Sequence, residues 1–289
     1  MNKKKTGYCW VKRRHIAEGA QAGGRPLKRG TRSRNFSLGR GTRAVCRPGA
    51  APAVSLCQAT ACAASKIQCM SLQVLEAQTG ENPVASIIIL HGLGADGRDF
   101  VPVAEQFDLS AVGAVRYIFP NAPVMPVTIN GGYVMPAWYD ILGADLTQRQ
   151  DEAGLRKSQA AIDALIEREK SRGIPTHRIV VAGFSQGCAM ALMTGLRYPE
   201  RLAGIIAMSG YLPLADKLPA ERSLANAATP IFMAHGTRDP VVVLPRATAS
   251  RDVLKALGYK VEWHEYLMEH SVCQEEISDM ERFLQTVLV

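Results

Sequence analysis

Short apolar runs alternate with amphipathic stretches along residues 70–289, and this alternation limits the possible folds more than any other feature. The runs VASIIIL at 84–90 and RIVVAGF at 178–184 are almost wholly apolar, as buried strands are. Residues 148–172 between them follow a helical period that stops at Gly173. Apolar strands separated by helices predict a single α/β domain, with a mostly parallel central sheet and helices on both faces.

The remaining elements of residues 70–289 are predicted from the same two periodicities. The predicted strands begin with the segment MSLQVLEA at residues 70–77 and continue at residues 115–119, 202–208, 230–234 and 260–267. The predicted helices cover residues 99–107, 186–198, 245–257 and 273–288. The proline- and glycine-rich stretch at 120–136 is predicted to be a long loop.

Residues 1–69 differ in composition from the rest of the chain. They hold 15 Lys and Arg and one acidic residue, Glu18, whereas the other 220 residues hold 19 basic and 25 acidic residues. The net charge of +8 therefore combines a +14 segment with a remainder of −6. Residues 1–69 also show no periodicity and too little apolar surface to offset the entropy of ordering. We predict that they form a disordered, basic extension of the domain at 70–289.

The role of this extension stays open between several interpretations. Abundant arginine and serine with few acids are typical of an organelle transit peptide, and basic arms also bind nucleic acid. The apolar stretch begins about 50 residues from the start, which is too late for a secretion signal. Met70 can also be the biological start, in which case residues 1–69 are not native sequence.

Cysteine usage and hydropathy indicate where the domain resides and what it lacks. Only two of the seven cysteines lie after residue 69, which predicts a cytoplasmic location, or an organelle if the extension is a transit peptide. The cysteine spacing matches no zinc pattern, and no apolar run approaches the roughly 20 residues of a membrane helix. We therefore predict no metal, no cofactor and no membrane span. A homodimer is one option for the oligomeric state.

The pentapeptide GFSQG at residues 183–187 is a G-x-S-x-G motif. It follows the predicted strand RIVVAGF directly and opens a predicted helix. This is the setting in which a sharp turn between strand and helix exposes a nucleophilic serine. Glycines on both sides suit a turn that neighbouring backbone crowds. We therefore predict that Ser185 is a nucleophile rather than an ordinary helix cap.

A serine hydroxyl needs a base to take its proton, and His270 is the best candidate among the six histidines. It lies three residues after the predicted strand at 260–267, in a loop at the carboxyl end of a strand, where a base can reach the serine. His91 and His235 each end an apolar strand in the pattern HG, so we expect structural roles for them.

A carboxylate must orient the imidazole, and Asp239 is the best candidate for it. It follows the predicted strand at 230–234 and a short turn. It also lies between Ser185 and His270 in the chain. Serine, acid, histidine is the chain order of the catalytic residues in hydrolases that carry the G-x-S-x-G motif. Asp216 and Asp252 are weaker candidates, because no strand leads directly into the first and the second lies inside a predicted helix.

Two backbone N–H groups are needed to bind the oxyanion that forms during acyl transfer. One is expected from Gln186, the residue after the nucleophile. The other is expected from the glycine-rich segment HGLGADG at 91–97, which follows an early strand and carries Leu93. A phosphate-binding loop is disfavoured there, because the segment lacks the ending GK[ST].

Residues 70–289 resemble the carboxylesterase and acyl-protein thioesterase family of small α/β-hydrolases, the phospholipase/carboxylesterase family, which also includes lysophospholipase-like members. The matching stretches, in the family's order, are LHGLGADGRDF, FPNAPVMPVTINGGYVMPAWYDI, VAGFSQGCAMAL, AHGTRDPVV and MEHSV. Residues 1–69 have no counterpart in that family. The resemblance implies an α/β-hydrolase fold.

The resemblance also implies roles for individual residues. It makes Ser185 the nucleophile, Asp239 the acid and His270 the base, with Leu93 and Gln186 as oxyanion donors. The candidate substrate-binding residues are Trp138, in the block that lines the family's acyl channel, and Val242, in AHGTRDPVV. The apolar stretch at 120–141 is also predicted to line the acyl chain.

These features predict a serine carboxylesterase that hydrolyses short- to medium-chain carboxylic esters through an acyl-enzyme. An acyl-protein thioesterase or lysophospholipase would use the same residues, so that alternative stays open. The alternative of another class is a nucleic-acid binder without catalysis, which residues 1–69 would drive. A complete set of catalytic residues in chain order disfavours this last interpretation and any nucleic-acid partner.

Overall fold

The computed structural model describes residues 72–143 and 149–289, which lie in one compact unit. The predicted extension at 1–69 is outside the described residues, so its disorder and the domain start at residue 70 stay predictions. The described residues form nine strands: β1 (Val74–Gln78), β2 (Ala85–Leu90), β3 (Val115–Pro120), β4 (Val124–Val127), β5 (Tyr133–Pro136), β6 (Ile179–Phe184), β7 (Gly204–Met208), β8 (Ile231–Gly236) and β9 (Val261–Tyr266).

Seven of these strands form the central sheet, in the order β1-β3-β2-β6-β7-β8-β9. All neighbouring strands are parallel except β1, which pairs antiparallel with β3. The described helices are α1 (Val101–Ala104), α2 (Glu152–Ser171), α3 (Gln186–Gly195), α4 (Leu218–Glu221), α5 (Leu244–Ala256) and α6 (Gln274–Val287). The predicted mostly parallel sheet is therefore confirmed.

Helices cover the sheet on both faces because alternate strand residues are buried on opposite sides. Ile88 and Leu90 of β2 pack in one core cluster with residues of α2, α3 and α5. Ile87 and Ile89 of the same strand pack in a second cluster with residues of α1 and α6. All six residues of β2 are buried. The near-continuous apolar composition of the strand follows from this double coverage.

The predicted loop at 120–136 contains a feature that its sequence obscures. Strands β4 and β5 pair antiparallel as a two-stranded sheet apart from the central one. Prolines in both strands argue against a strand in the interior of a sheet, but each strand here has one unpaired edge. Gly131 and Gly132, with φ of 65° and 81°, make the left-handed turn that joins them. The prediction of a long loop at 120–136 is therefore wrong for the residues of β4 and β5.

Glu169 on α2 is a fully buried carboxylate in a set of polar partners. Ser86 Oγ and Arg116 Nη1 each donate to its Oε2 at 2.7 Å, and Arg172 Nη1 donates to its Oε1 at 2.8 Å. These donors compensate for the loss of hydration of the buried charge. The hydrogen bonds from Ser86 and Arg116 to Glu169 thus join α2 to strands β2 and β3.

Glu169→Ala is expected to lower the free energy of unfolding by about 3–5 kcal/mol, because it leaves the Arg116 guanidinium buried without its carboxylate. Urea denaturation followed by circular dichroism measures this. Asp252→Ala is the control, since it removes an exposed carboxylate that pairs with Arg251 at 2.8 Å and should cost at most about 1 kcal/mol. Equal losses of unfolding free energy in the two variants would contradict a stabilising role for the buried Glu169 carboxylate.

Glu276, in the first turn of α6, is fully buried. Burial raises the pKa of its carboxyl group to about 8, with the backbone N–H of the preceding Cys273 opposing the shift. Between pH 4.5 and 8 the folded state therefore keeps a proton that the unfolded state releases. Because the folded state binds more protons in this range, the stability of the fold falls as the pH rises.

Glu276→Gln is expected to remove this loss of stability with rising pH. The loss amounts to about 1.4 kcal/mol of unfolding free energy for each pH unit between pH 4.5 and 8. Urea denaturation at pH 5, 6, 7 and 8 measures the slope. Glu275→Gln is the neighbouring exposed control and should leave the slope in place. A slope that is the same in Glu276→Gln and in the unsubstituted protein would show that another group causes it.

Candidate active site

The predicted site residues meet at one edge of the sheet. Ser185 follows β6, Asp239 lies three residues after β8, His270 lies four residues after β9, and the loop with Leu93 follows β2. These strands are parallel to one another, so their carboxyl ends share an edge. Binding and catalytic residues of open α/β sheets gather at this edge.

The turn at Ser185 holds a backbone conformation that non-glycine residues rarely adopt. Ser185 has φ of 56° and ψ of −115°, and its backbone N–H donates to Met208 O at 2.9 Å. A Cβ at Gly183 would lie 2.1 Å from Gly187 O, and a Cβ at Gly187 would lie 2.1 Å from Leu90 O. The glycines of the motif are therefore required by backbone on both sides of the turn.

A continuous chain of hydrogen bonds links the three predicted catalytic side chains. His270 Nδ1 lies 2.6 Å from Asp239 Oδ2, and His270 Nε2 lies 2.8 Å from Ser185 Oγ. The carboxylate only accepts, so Nδ1 carries the ring proton and Nε2 accepts from the hydroxyl. The structure thus brings together residues that are 85 and 31 positions apart in the chain.

The Asp239 carboxylate is buried and held from both sides. Its Oδ1 accepts from the backbone N–H groups of Val241 and Val242 at 2.8 and 2.9 Å, which leaves Oδ2 for His270. His235 Nε2 donates to Val242 O at 2.6 Å and lies 3.4 Å from Asp239 Oδ2. Burial lowers the pKa of His235, so its ring is neutral near pH 7.

The two weaker carboxylate candidates lie elsewhere. Asp216 is exposed in the loop after β7, and the exposed Asp252 pairs with Arg251 on α5. Neither has a hydrogen bond to His270, whose Nδ1 partner is Asp239. The strand that leads directly to Asp239 is the sequence signal that separated it from them.

The loop after β2 passes beside the serine. A Cβ at Gly92, the residue before Leu93, would lie 3.4 Å from Ser185 Cβ. Within residues 72–143 and 149–289, no acceptor pairs with the backbone N–H of Leu93 or with that of Gln186, the first residue of α3. Two backbone N–H groups with unused hydrogens therefore lie in the residues next to Ser185 and next to Gly92.

Trp138 and Val242, the two predicted substrate-binding residues, are both buried. Trp138 Nε1 donates to His91 O at 2.9 Å, and the Trp138 backbone N–H donates to Gln186 Oε1 at 2.8 Å. Val242 uses its backbone to hold Asp239 and His235. Their contact with a substrate stays a prediction, while the structure shows contacts with the site itself.

Exposed apolar side chains lie in the segments around the site. The hairpin of β4 and β5 exposes Tyr133 and Val134 to 69% and 57%, and its Pro136 O accepts from Gly94 N–H in the loop of Leu93. Val241, beside Asp239, is 63% exposed, and Leu267, before His270, is 75% exposed. Such surfaces suit an apolar ligand or partner.

Among residues 72–143 and 149–289, no group of three or more histidine, cysteine or acidic side chains could hold a metal ion. No described helix is both long enough and apolar enough to cross a membrane.

Comparisons with known proteins match this geometry. The sequence profile of the family described as phospholipase/carboxylesterase matches residues 73–288. Acyl-protein thioesterase 1 of Neurospora crassa is 45% identical over 209 residues, which cover 69% of this chain and 85% of that protein. Acyl-protein thioesterase 1 of Yarrowia lipolytica is 41% identical over 206 residues, which cover 70% of this chain and 91% of that protein.

A solved structure gives the same result for the fold. Acyl-protein thioesterase 2 of Zea mays superposes with a TM-score of 0.65 at 30% identity, over 74% of this chain and 99% of that one. Together with the sheet order, these likenesses confirm the predicted α/β-hydrolase fold.

Proposed function

Because this chain belongs to the phospholipase/carboxylesterase family, we propose that it is a serine hydrolase that cleaves thioesters between acyl groups and protein cysteines. One observation carries the proposal of a serine hydrolase: the hydrogen-bonded chain from Asp239 through His270 to Ser185. The names of the relatives in Neurospora and Yarrowia support the thioester. They favour the thioesterase alternative of the sequence analysis over its first interpretation, a carboxylesterase of short- to medium-chain esters.

In the first step Ser185 Oγ attacks the carbonyl carbon of the thioester, and its proton moves to His270 Nε2. Asp239 Oδ2 stabilises the imidazolium through Nδ1–H. The carbonyl oxygen becomes an oxyanion, which accepts hydrogen bonds from Leu93 N–H and Gln186 N–H. Gln186 opens α3, so the positive end of that helix adds to the stabilisation.

In the second step the tetrahedral intermediate collapses, and the carbon–sulfur bond breaks. His270 Nε2–H gives its proton to the departing sulfur, which leaves as the free cysteine thiol. The acyl group stays on Ser185 Oγ as an ester. A water molecule then attacks this ester, with His270 taking its proton, and the second intermediate releases the carboxylic acid as the proton returns to Ser185.

The exposed apolar side chains support a long acyl chain as the ligand. Tyr133, Val134, Val241 and Leu267 lie in the segments that carry or contact the site residues. Each methylene of an acyl chain that they cover contributes about 0.8 kcal/mol to binding. We therefore propose that kcat/KM rises as the acyl chain lengthens.

The experiment compares two peptides of one sequence, one acylated on cysteine sulfur and one on serine oxygen, with the same acyl chain. We expect kcat/KM for the thioester to exceed that for the oxoester at least about tenfold, which corresponds to about 1.4 kcal/mol in the barrier. Ser185→Ala is the control for enzymatic turnover. An equal or higher kcat/KM for the oxoester would instead support a carboxylesterase.

A further inference from the structure

His91 is a buried histidine whose two ring nitrogens both have backbone partners. The backbone N–H of Ala122 donates to Nε2 at 3.0 Å, so Nε2 carries the lone pair and Nδ1 carries the ring proton. Nδ1 then donates to Gly92 O at 2.7 Å. The ring is therefore fixed in one tautomer and in one orientation.

The peptide unit between Gly92 and Leu93 connects this hydrogen bond to the proposed oxyanion donor. A trans peptide is planar, so the C=O of Gly92 and the N–H of Leu93 lie in one plane and point in opposite directions. A hydrogen bond that fixes the direction of this C=O therefore also fixes the direction of the N–H. The His91 ring acts on Leu93 without touching it.

Trp138 holds the preceding peptide unit, which lies between His91 and Gly92. Its indole N–H donates to His91 O at 2.9 Å, and its ring centroid lies 5.3 Å from that of His91. On the other side, the Gln186 side chain accepts from Trp138 N–H at 2.8 Å and donates to Tyr139 O at 2.7 Å. One set of buried contacts thus joins the two residues that carry the proposed donors.

We propose that His91 and Trp138 are positioning residues of the oxyanion hole, which act through the carbonyl groups of Gly92 and His91 to aim the Leu93 N–H. This inference rests on the proposed function, since it takes Leu93 as a donor. Hydrogen bonds to a developing oxyanion act only when their donors are already in place, so a small rotation of this peptide reduces the rate.

The neutral state of His91 agrees with this role. Burial lowers the pKa of the ring, while Gly92 O, Asp99 and Asp96 oppose the shift. A doubly protonated ring would direct an N–H at the N–H of Ala122, so the neutral form is the one that fits both partners.

The test uses two substitutions that each retain one of the two ring positions. The amide nitrogen of asparagine lies two bonds from Cβ, as Nδ1 does, whereas that of glutamine lies three bonds away, as Nε2 does. His91→Asn can therefore keep the donor to Gly92 O, and His91→Gln cannot. We expect His91→Gln to lower kcat about 100-fold with KM within about threefold, and His91→Asn to stay within about tenfold of the unsubstituted protein.

A second measurement reports the oxyanion hole directly. A trifluoromethyl ketone forms a tetrahedral adduct on the serine whose oxyanion occupies the same place as that of the intermediate. We expect its Ki to rise in His91→Gln by the same factor by which kcat/KM falls. Trp138→Phe, which keeps an aromatic ring but loses the indole N–H, should show the same pair of changes and tests the inference even if the His91 variants fail to fold.

Tyr198→Phe is the control, outside the stretch 120–141 and outside this set of contacts. It removes the hydrogen bond that the buried Tyr198 donates to Glu167 Oε1 of α2. We expect its kcat and its Ki for the ketone to stay within about threefold, whatever stability it loses. Thermal melts of all variants separate stability from rate.

Three outcomes would overturn the inference. Equal rates for His91→Asn and His91→Gln would remove the role of Nδ1–H. Trp138→Phe with a raised KM and an unchanged kcat would place Trp138 on the substrate, as the family resemblance implies. A Ki for the ketone that does not follow kcat/KM would leave only a structural role. Failure of the proposed function is distinct from these. A protein that is not a serine hydrolase would not be labelled on Ser185 by a fluorophosphonate, whereas a protein that prefers the oxoester would still be labelled and would leave this inference intact.

Discussion

Ser185→Ala is expected to lower kcat/KM for an acyl thioester about 10⁶-fold and to leave the fold unchanged. The hydroxyl is the only group of Ser185 that the proposed reaction uses, and alanine removes it without a change of backbone. The Ser185 hydroxyl pairs with His270 Nε2 at 2.8 Å, so its removal breaks no hydrogen bond within the core. The left-handed conformation at this position, with φ of 56°, strains serine and alanine alike.

Discontinuous assays with an S-acylated peptide measure the loss of kcat/KM. Circular dichroism and thermal melts show whether the fold is unchanged. Ser209→Ala is the control, because Ser209 is also buried, follows the neighbouring strand β7 and has φ of 48°. Its Oγ has no hydrogen-bond partner among the described residues, so its activity should stay within about threefold. Turnover by Ser185→Ala above about 1% of the unsubstituted rate would show that another residue is the nucleophile.

Asp239→Asn is expected to lower kcat about 10⁴-fold with little change in KM. The backbone N–H groups of Val241 and Val242 require an acceptor, so the amide oxygen of the asparagine takes the position of Oδ1. Its amide nitrogen must then face His270 Nδ1, where the carboxylate oxygen was. Two donors cannot face each other, so the ring proton moves to Nε2, and Nε2 can no longer accept the proton of Ser185.

The two rejected carboxylates supply the controls for this result. Asp216→Asn and Asp252→Asn should each retain kcat within about twofold, since both side chains are exposed and away from His270. A structure of Asp239→Asn, or the ring nitrogen chemical shifts of His270, reports the change of tautomer. Less than a tenfold loss of kcat in Asp239→Asn would mean that orientation of the base by this carboxylate contributes little.

The sequence by itself determined the fold class and the three residues of the hydrogen-bonded chain. Ser185, Asp239 and His270 each follow a strand that is recognisable from its own composition. Parallel strands place their carboxyl ends at one edge, so local patterns were sufficient to bring these residues to one place. Gly183 is required by crowding within the turn itself, whereas Gly187 is required by Leu90 O of β2, which is a tertiary contact.

Only the tertiary structure decided how the supporting residues are used. The sequence indicated a structural role for His91, and the resemblance implied a substrate contact for Trp138, which stays a prediction. Only the structure shows which backbone groups of the loop before Leu93 form hydrogen bonds with these two side chains. The pairing of β4 with β5 inside a proline-rich stretch was also missed. Each of these depends on which backbone groups meet after packing, between segments as far as 47 positions apart. Residue spacing and periodicity describe neighbours within one element, so they carry no information about such partners.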